Sequence, residues 1–296
     1  MPLAMVIGGY NNGNVYENEI VDFRATKNST IPEIADLPRG MYGLVANLVG
    51  DKVIACGGYR TSSCYSYNFL LKRWAKTTSL DRERKGHVGF VSADGQWYIS
   101  GGRDYSSSPD VYLDTTIIYK DGAFTAGQIT PYPAYFPCTA TVNETHIFYA
   151  GGYDGEKRRK DAYLLEVATW TWTSLEDMAI AREYHSCGKI DNDIVVVGGY
   201  AFEDAEKTSE IFNLETHSWR AGPGVPTESG QFWLSQVYQL ENTFYLMGGY
   251  DGHADIDAIF ELDIESSTWK KREESLGRAR GDHAVVAMPT SILPFA

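Results

Sequence analysis

A Gly-Gly pair recurs six times along this 296-residue chain, each time at the end of a short apolar run. The pairs are Gly8-Gly9, Gly57-Gly58, Gly101-Gly102, Gly151-Gly152, Gly198-Gly199 and Gly248-Gly249. Successive pairs lie 49, 44, 50, 47 and 50 residues apart. The preceding runs, such as residues 194–197, are rich in β-branched and aromatic residues and too short for helices, so they predict buried strands. A period of this length indicates that the chain is built from repeated supersecondary units.

Two further markers keep the same phase. A Trp follows the second glycine by twenty residues in three repeats and by sixteen in another, while Phe124 takes a similar place in the third repeat. These tryptophans are Trp172, Trp219, Trp269 and, at the shorter spacing, Trp74. An Arg-x-x-His motif opens a further apolar segment at Arg84/His87, Arg182/His185 and Arg280/His283. Each repeat therefore predicts four β-strands.

Together these features resemble the Kelch repeat over essentially the whole chain. The resemblance implies an all-β fold, a six-bladed β-propeller of four-stranded antiparallel blades. We expect one domain, 1–296, with blades at about 1–37 plus 278–290, 38–80, 81–129, 130–178, 179–226 and 227–277. The chain begins at a Gly-Gly strand and ends with a spare apolar segment, 282–288, so we expect a C-terminal strand to complete the first blade. Residues 28–32 fit the motif poorly, which makes this blade the least regular.

The net charge and hydropathy of the chain argue against nucleic acids and membranes as partners. The formal net charge of −13 argues against nucleic-acid binding, which needs a clustered basic surface. No apolar stretch of about 18 residues is present, so no membrane insertion is expected. The first nine residues lack the basic and long apolar regions of a signal peptide. These observations favour a cytoplasmic protein or an excised domain, with an extracellular protein as the alternative.

The cysteines leave the compartment open. Cys56 and Cys64 flank one predicted hairpin, and Cys138 and Cys187 lie in the leading strands of adjacent blades, so either pair could form a disulfide. Two glycosylation sequons, at residues 28–30 and 143–145, also fit a secreted propeller. We nevertheless expect buried free thiols in an intracellular domain.

The sequence predicts no catalytic residue, no metal site and no cofactor. Cys/His pairs at zinc-finger spacing and a His-Glu-x-x-His motif are both missing from it. Kelch-type propellers include a copper radical oxidase and a sialic acid mutarotase. The residues of the oxidase are not found here, whereas Glu183, Glu228, His185 and Arg182 could supply acid and base groups to a central pocket. A carbohydrate-active enzyme is therefore the second alternative.

The resemblance implies that partners bind a loop face, lined by residues at the start of each leading strand. Carried over by position, the predicted partner-binding residues are Arg39, Tyr42, Arg82, Arg84, His87, Tyr132, Tyr135, Phe136, Arg182, Tyr184, Phe232, Trp233, Arg278 and Arg280. Arg and aromatic side chains suit an acidic, partly apolar peptide. The competing interpretation is that the arginines pair with nearby acids such as Asp81 and Glu183. Tyr105 and Phe202, on the loops after the Gly-Gly pairs, are further candidate anchors.

The predicted function is protein–protein recognition, with a protein or an acidic peptide as the partner and a small-molecule ligand not expected. In the Kelch family such domains often select substrates for cullin-type ubiquitin ligases, and other members bind actin. The first alternative is an extracellular, disulfide-containing propeller for adhesion or ligand binding.

Overall fold

The computed structural model describes residues 3–23, 34–201, 207–228, 231–240 and 242–288. Its secondary structure in these ranges comprises 25 β-strands, with six antiparallel sheets forming the blades of a propeller. No helix within the described ranges is long and apolar enough to cross a membrane. The fold class predicted from the repeats is confirmed.

Each blade is a sheet in which neighbouring strands pair antiparallel. Blade 1 contains β1 (Leu3–Ile7), β2 (Asn18–Asp22) and β25 (Ala284–Met288). Blade 2 contains β3 (Val45–Val49), β4 (Lys52–Cys56), β5 (Cys64–Asn68) and β6 (Arg73–Lys76). Blade 3 contains β7 (Val88–Val91), β8 (Trp97–Ser100), β11 (Thr115–Lys120) and β12 (Ala123–Ile129), with a small hairpin of β9 (Arg103–Asp104) and β10 (Val111–Tyr112).

The remaining blades repeat this order. Blade 4 contains β13 (Cys138–Thr141), β14 (His146–Ala150), β15 (Ala162–Glu166) and β16 (Thr171–Ser174). Blade 5 contains β17 (Ser186–Ile190), β18 (Asp193–Val197), β19 (Ser209–Asn213) and β20 (Ser218–Ala221). Blade 6 contains β21 (Gln236–Leu240), β22 (Thr243–Met247), β23 (Ala258–Asp263) and β24 (Thr268–Ser275). The four tryptophans in phase with the repeat lie on the last strands, β6, β16, β20 and β24.

The two ends of the chain meet in blade 1. Strand β25 pairs with β1 from Leu3↔Met288 to Ile7↔Ala284, and the described strand order is β2-β1-β25. The predicted closure by a C-terminal strand is therefore confirmed. The irregular stretch at 28–32 lies outside the described residues.

Apolar side chains of neighbouring blades pack together to form the core. Phe148 of β14, Val196 of β18 and Phe212 of β19 belong to one buried cluster between blades 4 and 5. Because strands such as β18 are covered on both faces, they read as continuous apolar runs in the sequence. Burying one such side chain contributes about 1.5–3 kcal/mol.

All four cysteines form disulfides, which corrects the expectation of free thiols. Cys56 and Cys64 are directly opposite each other on β4 and β5. Cys138 and Cys187 join β13 to β17, so this disulfide links blade 4 to blade 5. The sequence identified both pairs by position, but position alone could not decide their redox state.

The Arg-x-x-His motif lies inside the propeller. Arg182 is fully buried, and its guanidinium donates to the Gly198 carbonyl at 2.6 Å and to Glu210 Oε1 at 2.6 Å. Arg84 donates in the same way to the Gly101 carbonyl at 3.0 Å, and Arg280 to the Gly8 carbonyl at 2.9 Å. Each arginine thus satisfies a carbonyl at the Gly-Gly pair of its own blade.

The histidines of the motif explain one requirement for glycine. A Cβ at Gly151 would lie 2.5 Å from Cε1 of His185, so only glycine lets the ring of the next blade pack there. Burial, together with the nearby Arg182 charge, lowers the pKa of His185 to about 3. His87 and His283 are buried beside Arg84 and Arg280, and each has a pKa of about 3 for the same reasons. The motif is therefore a packing element with neutral imidazoles.

Backbone hydrogen bonds connect the blades around the central channel. The residues involved, here called the axial ring, all have positive φ and are Gly43, Gly86, Phe136, Tyr184, Leu234 and Asp282. Five bonds run from one axial residue to the next: Gly86 N to Gly43 O, Phe136 N to Gly86 O, Leu234 N to Tyr184 O, Asp282 N to Leu234 O and Gly43 N to Asp282 O, at 2.7–3.0 Å. The inner strands below this ring line a channel of about 390 Å³.

Candidate functional site

The loop face of the propeller is organised by pairs of residues. The residue before each axial position, here called the inner ring, pairs through its backbone with the residue after a Gly-Gly pair, here called the outer ring. The inner ring is Tyr42, Lys85, Tyr135, Glu183, Trp233 and Gly281, and the outer ring is Tyr59, Arg103, Tyr153, Tyr200, Tyr250 and Tyr10. Because backbone bonds set these positions, the side chains are presented on a rigid frame.

Aromatic side chains cover much of this face. Phe136 contacts both Tyr135 and Tyr184, with ring centroids 4.6 and 4.4 Å apart. Tyr42 contacts Tyr10 at 5.2 Å and Tyr59 at 5.4 Å. Such pairs add stability beyond the area they bury and hold each other in place. The face therefore has a preformed aromatic surface.

The side chains of Phe136 and Lys85 pack against the axial ring. A Cβ at Gly86 would lie 2.5 Å from Cδ2 of Phe136, so the phenyl ring lies directly over this glycine. Lys85 places its Nζ 3.2 Å from Asp282 Oδ2 and 4.7 Å from the centroid of Tyr42. Lys85 is 13 % and Asp282 4 % exposed, so this ion pair is nearly buried.

A groove of about 610 Å³ lies beside this aromatic surface, between the loops of blades 3, 4 and 5. Its lining residues are Arg103, Tyr112, Tyr135, Tyr153, Glu156, Lys157, Arg158, Lys160, Ala179, Ile180, Ala181, Glu183, Tyr184 and Ala201. Four of these carry positive charge and two carry negative charge, although the chain as a whole is strongly acidic. The groove therefore combines a local excess of positive charge with tyrosine walls.

The two arginines of the groove are oriented by aromatic rings and acids. The Arg103 guanidinium lies 4.7 Å from the centroid of Tyr105 and donates to Asp110 Oδ2. The Arg158 guanidinium lies 4.4 Å from the centroid of Tyr200 and 3.0 Å from Glu183 Oε1. Cation–π contact and an ion pair together fix the direction of each guanidinium.

The carboxyl of Glu183 in the groove has a strongly raised pKa. Burial raises the pKa of its carboxyl to about 7, and the charges of Arg158 and Arg103 only partly offset this effect. A carboxyl in a cleft whose pKa is shifted this far is a recognised mark of a functional site. Near neutral pH the groove can therefore gain or lose a proton at Glu183.

Among the predicted partner-binding residues, Tyr135 is only 4 % exposed beneath the loop face, and six others are buried in the interior. They are Arg84, His87, Tyr132, Arg182, Phe232 and Arg280, all no more than 6 % exposed. Tyr132, for example, donates its hydroxyl to the Gly151 carbonyl. Their side chains point between the strands rather than onto the loop face. The interpretation of the arginines as pairing residues fits Arg84, Arg182 and Arg280.

The other eight predicted residues reach or underlie the loop face. Tyr42, Tyr135, Phe136, Tyr184 and Trp233 belong to the inner and axial rings. Arg39, Arg82 and Arg278 are at the surface, where Arg82 pairs with Asp81 and Arg278 with Glu17. Of the two anchor candidates, Tyr105 contacts Tyr59 with centroids 5.0 Å apart, and Phe202 lies outside the described residues.

Sequence reasoning missed Lys85, Tyr112 and Arg158, and it considered Glu183 as an acid or base and as an ion-pair partner of arginine but not as a residue of the binding face. Lys85 and Glu183 stand between the Arg and His of their motifs, at the inner-ring position. Comparing all six repeats at that single position would have identified them. Arg158 and Tyr112 come from loops of unequal length, so no repeat position predicts them.

The acid and base groups considered for an enzyme are not gathered in the groove. His185 and Arg182 are buried, and Glu228 is exposed and does not line it. Within the described ranges, no cluster of three or more His, Cys, Asp or Glu side chains is suited to a metal ion. Glu183 alone of the proposed set lies in the groove.

Comparisons with known proteins agree with this architecture. Residues 123–296 match the family model of the KLHDC2/KLHL20/DRC7 Kelch-repeats domain. An F-box/kelch-repeat protein of Arabidopsis thaliana is 32 % identical over 125 residues, covering 41 % of this chain and 30 % of that protein. Kelch-like protein 36 of Rattus norvegicus is 22 % identical over 230 residues, covering 73 % of this chain and 37 % of that protein.

Human Kelch domain-containing protein 10 is 23 % identical over 175 residues, covering 55 % of this chain and 39 % of that protein. The chain thus spans about a third of the length of the curated relatives it matches. The solved structure of YjhT has the same fold, with a TM-score of 0.72 at 14 % identity over 92 % of this chain and 98 % of that one. The matched family model, the phased repeats and the six blades show that the chain belongs to the Kelch-repeat family.

Proposed function

We propose that this propeller recognises a protein partner through its loop face, with an acidic, partly apolar peptide segment bound in the groove between blades 3 and 5. The observation that carries the proposal is the placement of Arg103 and Arg158 among tyrosines in a groove of a strongly acidic chain. Guanidinium groups bind carboxylates with directional hydrogen bonds, and tyrosines supply large contact area at low entropic cost. The Kelch family consists typically of protein-interaction domains, which supports the same conclusion.

A displayed library of random peptides tests the proposal directly. The intact protein is expected to select peptides enriched in Asp or Glu next to aromatic or aliphatic residues. The double variant Arg103→Ala/Lys157→Ala removes two groove cations that are not buried, and it should lose this selection. The matched control is Arg220→Ala on the outer strand β20, where Arg220 pairs with Asp193. Selection retained by the groove variant, or lost by the control, would move the binding site elsewhere.

The protein could recognise its partner in either of two compartments, the cytoplasm or the extracellular space. The relatives include an F-box/kelch-repeat protein and Kelch-like proteins, which support a substrate adaptor of a ubiquitin ligase in the cytoplasm. The two disulfides favour instead the extracellular alternative, since disulfides persist mainly in oxidising compartments. We therefore favour partner recognition outside the reducing cytosol.

Counting thiols separates these settings. The native protein, isolated from its own cells under alkylating conditions and then unfolded, should show no thiol that reacts with the alkylating reagent. Four alkylated cysteines would favour the cytoplasmic adaptor instead.

A non-enzymatic role is also part of the proposal. A thermal-shift screen against a library of sugars tests it, because a ligand that binds only the native state raises the Tm.

A further inference from the structure

The sequon at Asn143 lies in the turn that connects β13 to β14. Strand β13 pairs with β14 from Cys138↔Ala150 to Thr141↔Ile147, and Ala150 directly precedes the Gly-Gly pair of the loop face. The turn is therefore at the other end of these strands, on the face of the propeller opposite the groove. At about 3.4 Å per residue, the length of β14 alone separates the turn from the loop face by roughly 14 Å.

The side chains of this sequon are arranged by local hydrogen bonds. Asn143 Oδ1 accepts from the Thr145 backbone N–H at 2.9 Å and from the His146 N–H at 2.9 Å, which is the geometry of an Asx-turn. The Thr145 hydroxyl lies 3.0 Å from the same oxygen. Asn143, Glu144 and Thr145 are all exposed, and in the described part of the chain no hydrogen bond engages Asn143 Nδ2. The acceptor nitrogen is thus on an open surface, and its carbonyl is already bonded to the sequon's hydroxyl residue.

The disulfides are the second, independent observation. A chain that forms both Cys56–Cys64 and Cys138–Cys187 is stable in an oxidising compartment, and N-glycosylation occurs in the same secretory route. From the turn geometry and the disulfides together, we propose that Asn143 is an N-glycan acceptor. A glycan at this place covers the face opposite the groove and leaves the groove open. The inference does not depend on which partner the loop face binds.

The modification is a transfer of an oligosaccharide from a lipid pyrophosphate donor. The bond from Asn143 Nδ2 to the anomeric carbon of the sugar forms, and the bond from that carbon to the pyrophosphate oxygen breaks. The Nδ2 loses one proton, and the lipid pyrophosphate departs with the bonding electron pair. No oxidant or reductant is required.

The native protein from its own cells provides the test. Treatment with peptide N-glycosidase in heavy-oxygen water should increase its electrophoretic mobility and convert Asn143 into heavy-oxygen-labelled aspartate, as read by mass spectrometry. Asn192, in the equivalent turn of blade 5, lacks a hydroxyl residue two positions later and should stay unlabelled. An unmodified Asn143 in this native protein would overturn the proposal.

Variants assign the site. All of them carry Asn28→Gln, so that the other sequon does not contribute, and all are produced through the secretory pathway of a eukaryotic cell. Asn143→Gln and Thr145→Ala should each abolish the mobility shift, whereas Thr145→Ser keeps the hydroxyl and should retain it. A shift that persists in Asn143→Gln, or that is missing from both Thr145→Ser and the Asn28→Gln parent, would refute the assignment.

Discussion

Two groups of arginines in this propeller show how position within a repeat decides the role of a residue. Arg84, Arg182 and Arg280 are buried and bonded to backbone carbonyls at the Gly-Gly pairs. Arg103 and Arg158 lie in the groove over tyrosine rings, each beside one acid. The first group stabilises blades 1, 3 and 5, while the second presents charge to the groove. In this fold the shared motif therefore marks the interior, and the residues that depart from it line the groove that we propose as the recognition surface.

The largest expected effect comes from removing the strand that closes the ring. Deleting residues 278–296 removes β25 together with Arg280 and His283, and it leaves β1 without a partner on one side. Because each blade packs against its neighbours, we expect loss of cooperative unfolding. Differential scanning calorimetry checks this, and a sharp transition in the truncated chain would show that the interior does not need the closure.

A pair of substitutions tests the two groups of arginines directly. Arg182→Ala removes the charged partner of the buried Glu210, which keeps only the backbone donors of Ala179 and Ile180, and it removes the guanidinium donor to the Gly198 carbonyl. This loss should lower the free energy of unfolding by about 3–5 kcal/mol. Arg103→Ala breaks a partly exposed pair with Asp110 and should cost less than about 1 kcal/mol. Urea titration measures both. Equal decreases in the free energy of unfolding for the two variants would show that buried and groove arginines do not differ in their contribution to stability.

The histidines of the interior predict a dependence of stability on pH. Their folded pKa of about 3 lies below the unfolded value of about 6.5, so the unfolded chain takes up protons that the folded chain cannot. Stability is therefore lost as the pH falls from about 6.5 toward 3. Each histidine should contribute about 1.4 kcal/mol of destabilisation between pH 7.5 and 5.5, or about 4 kcal/mol for the three.

Urea titrations at both pH values, on the wild type and on His185→Gln, isolate the contribution of one histidine. The difference in the free energy of unfolding between the two pH values should be smaller by about 1.4 kcal/mol in the variant. An unchanged difference would mean that His185 is protonated in the folded state, contrary to its burial.

Glu183 in the groove should show the opposite sign. Its folded pKa of about 7 lies above that of an ordinary glutamate, so its contribution favours the folded state at low pH and is lost as the pH rises through 7. Raising the pH from 5.5 to 7.5 should cost about 1–2 kcal/mol through this group alone. Glu183→Gln should remove that cost, as measured by unfolding at both pH values. The same dependence in the variant would assign it to another group.

The sequence predicted the fold because the repeat markers are requirements of the backbone. Gly151 must leave room for His185, and Trp172 must cover the outer edge of its blade. Glycine and tryptophan therefore recur at regular positions in the sequence. The site was predicted only in part. The repeat identified the segments before β7 and β17 in which Arg84 and Arg182 lie, but a linear pattern does not show that their side chains turn inward. The groove depends on loops of unequal length, such as the β9–β10 hairpin that brings Tyr112 beside Arg103, and no period describes them.

The axial ring has a further consequence. Its five blade-to-blade hydrogen bonds join main-chain atoms alone, so these bonds do not depend on which side chains occupy the neighbouring inner ring. Tyrosine, lysine, glutamate, tryptophan and glycine all occupy that ring in this one molecule. In this propeller the backbone of the axial ring connects the blades, whereas the side chains of the inner ring determine the chemistry of the loop face. The side chains at the six inner-ring positions can therefore be substituted one at a time. Each new set of side chains can have a different binding preference while the backbone of the propeller is kept.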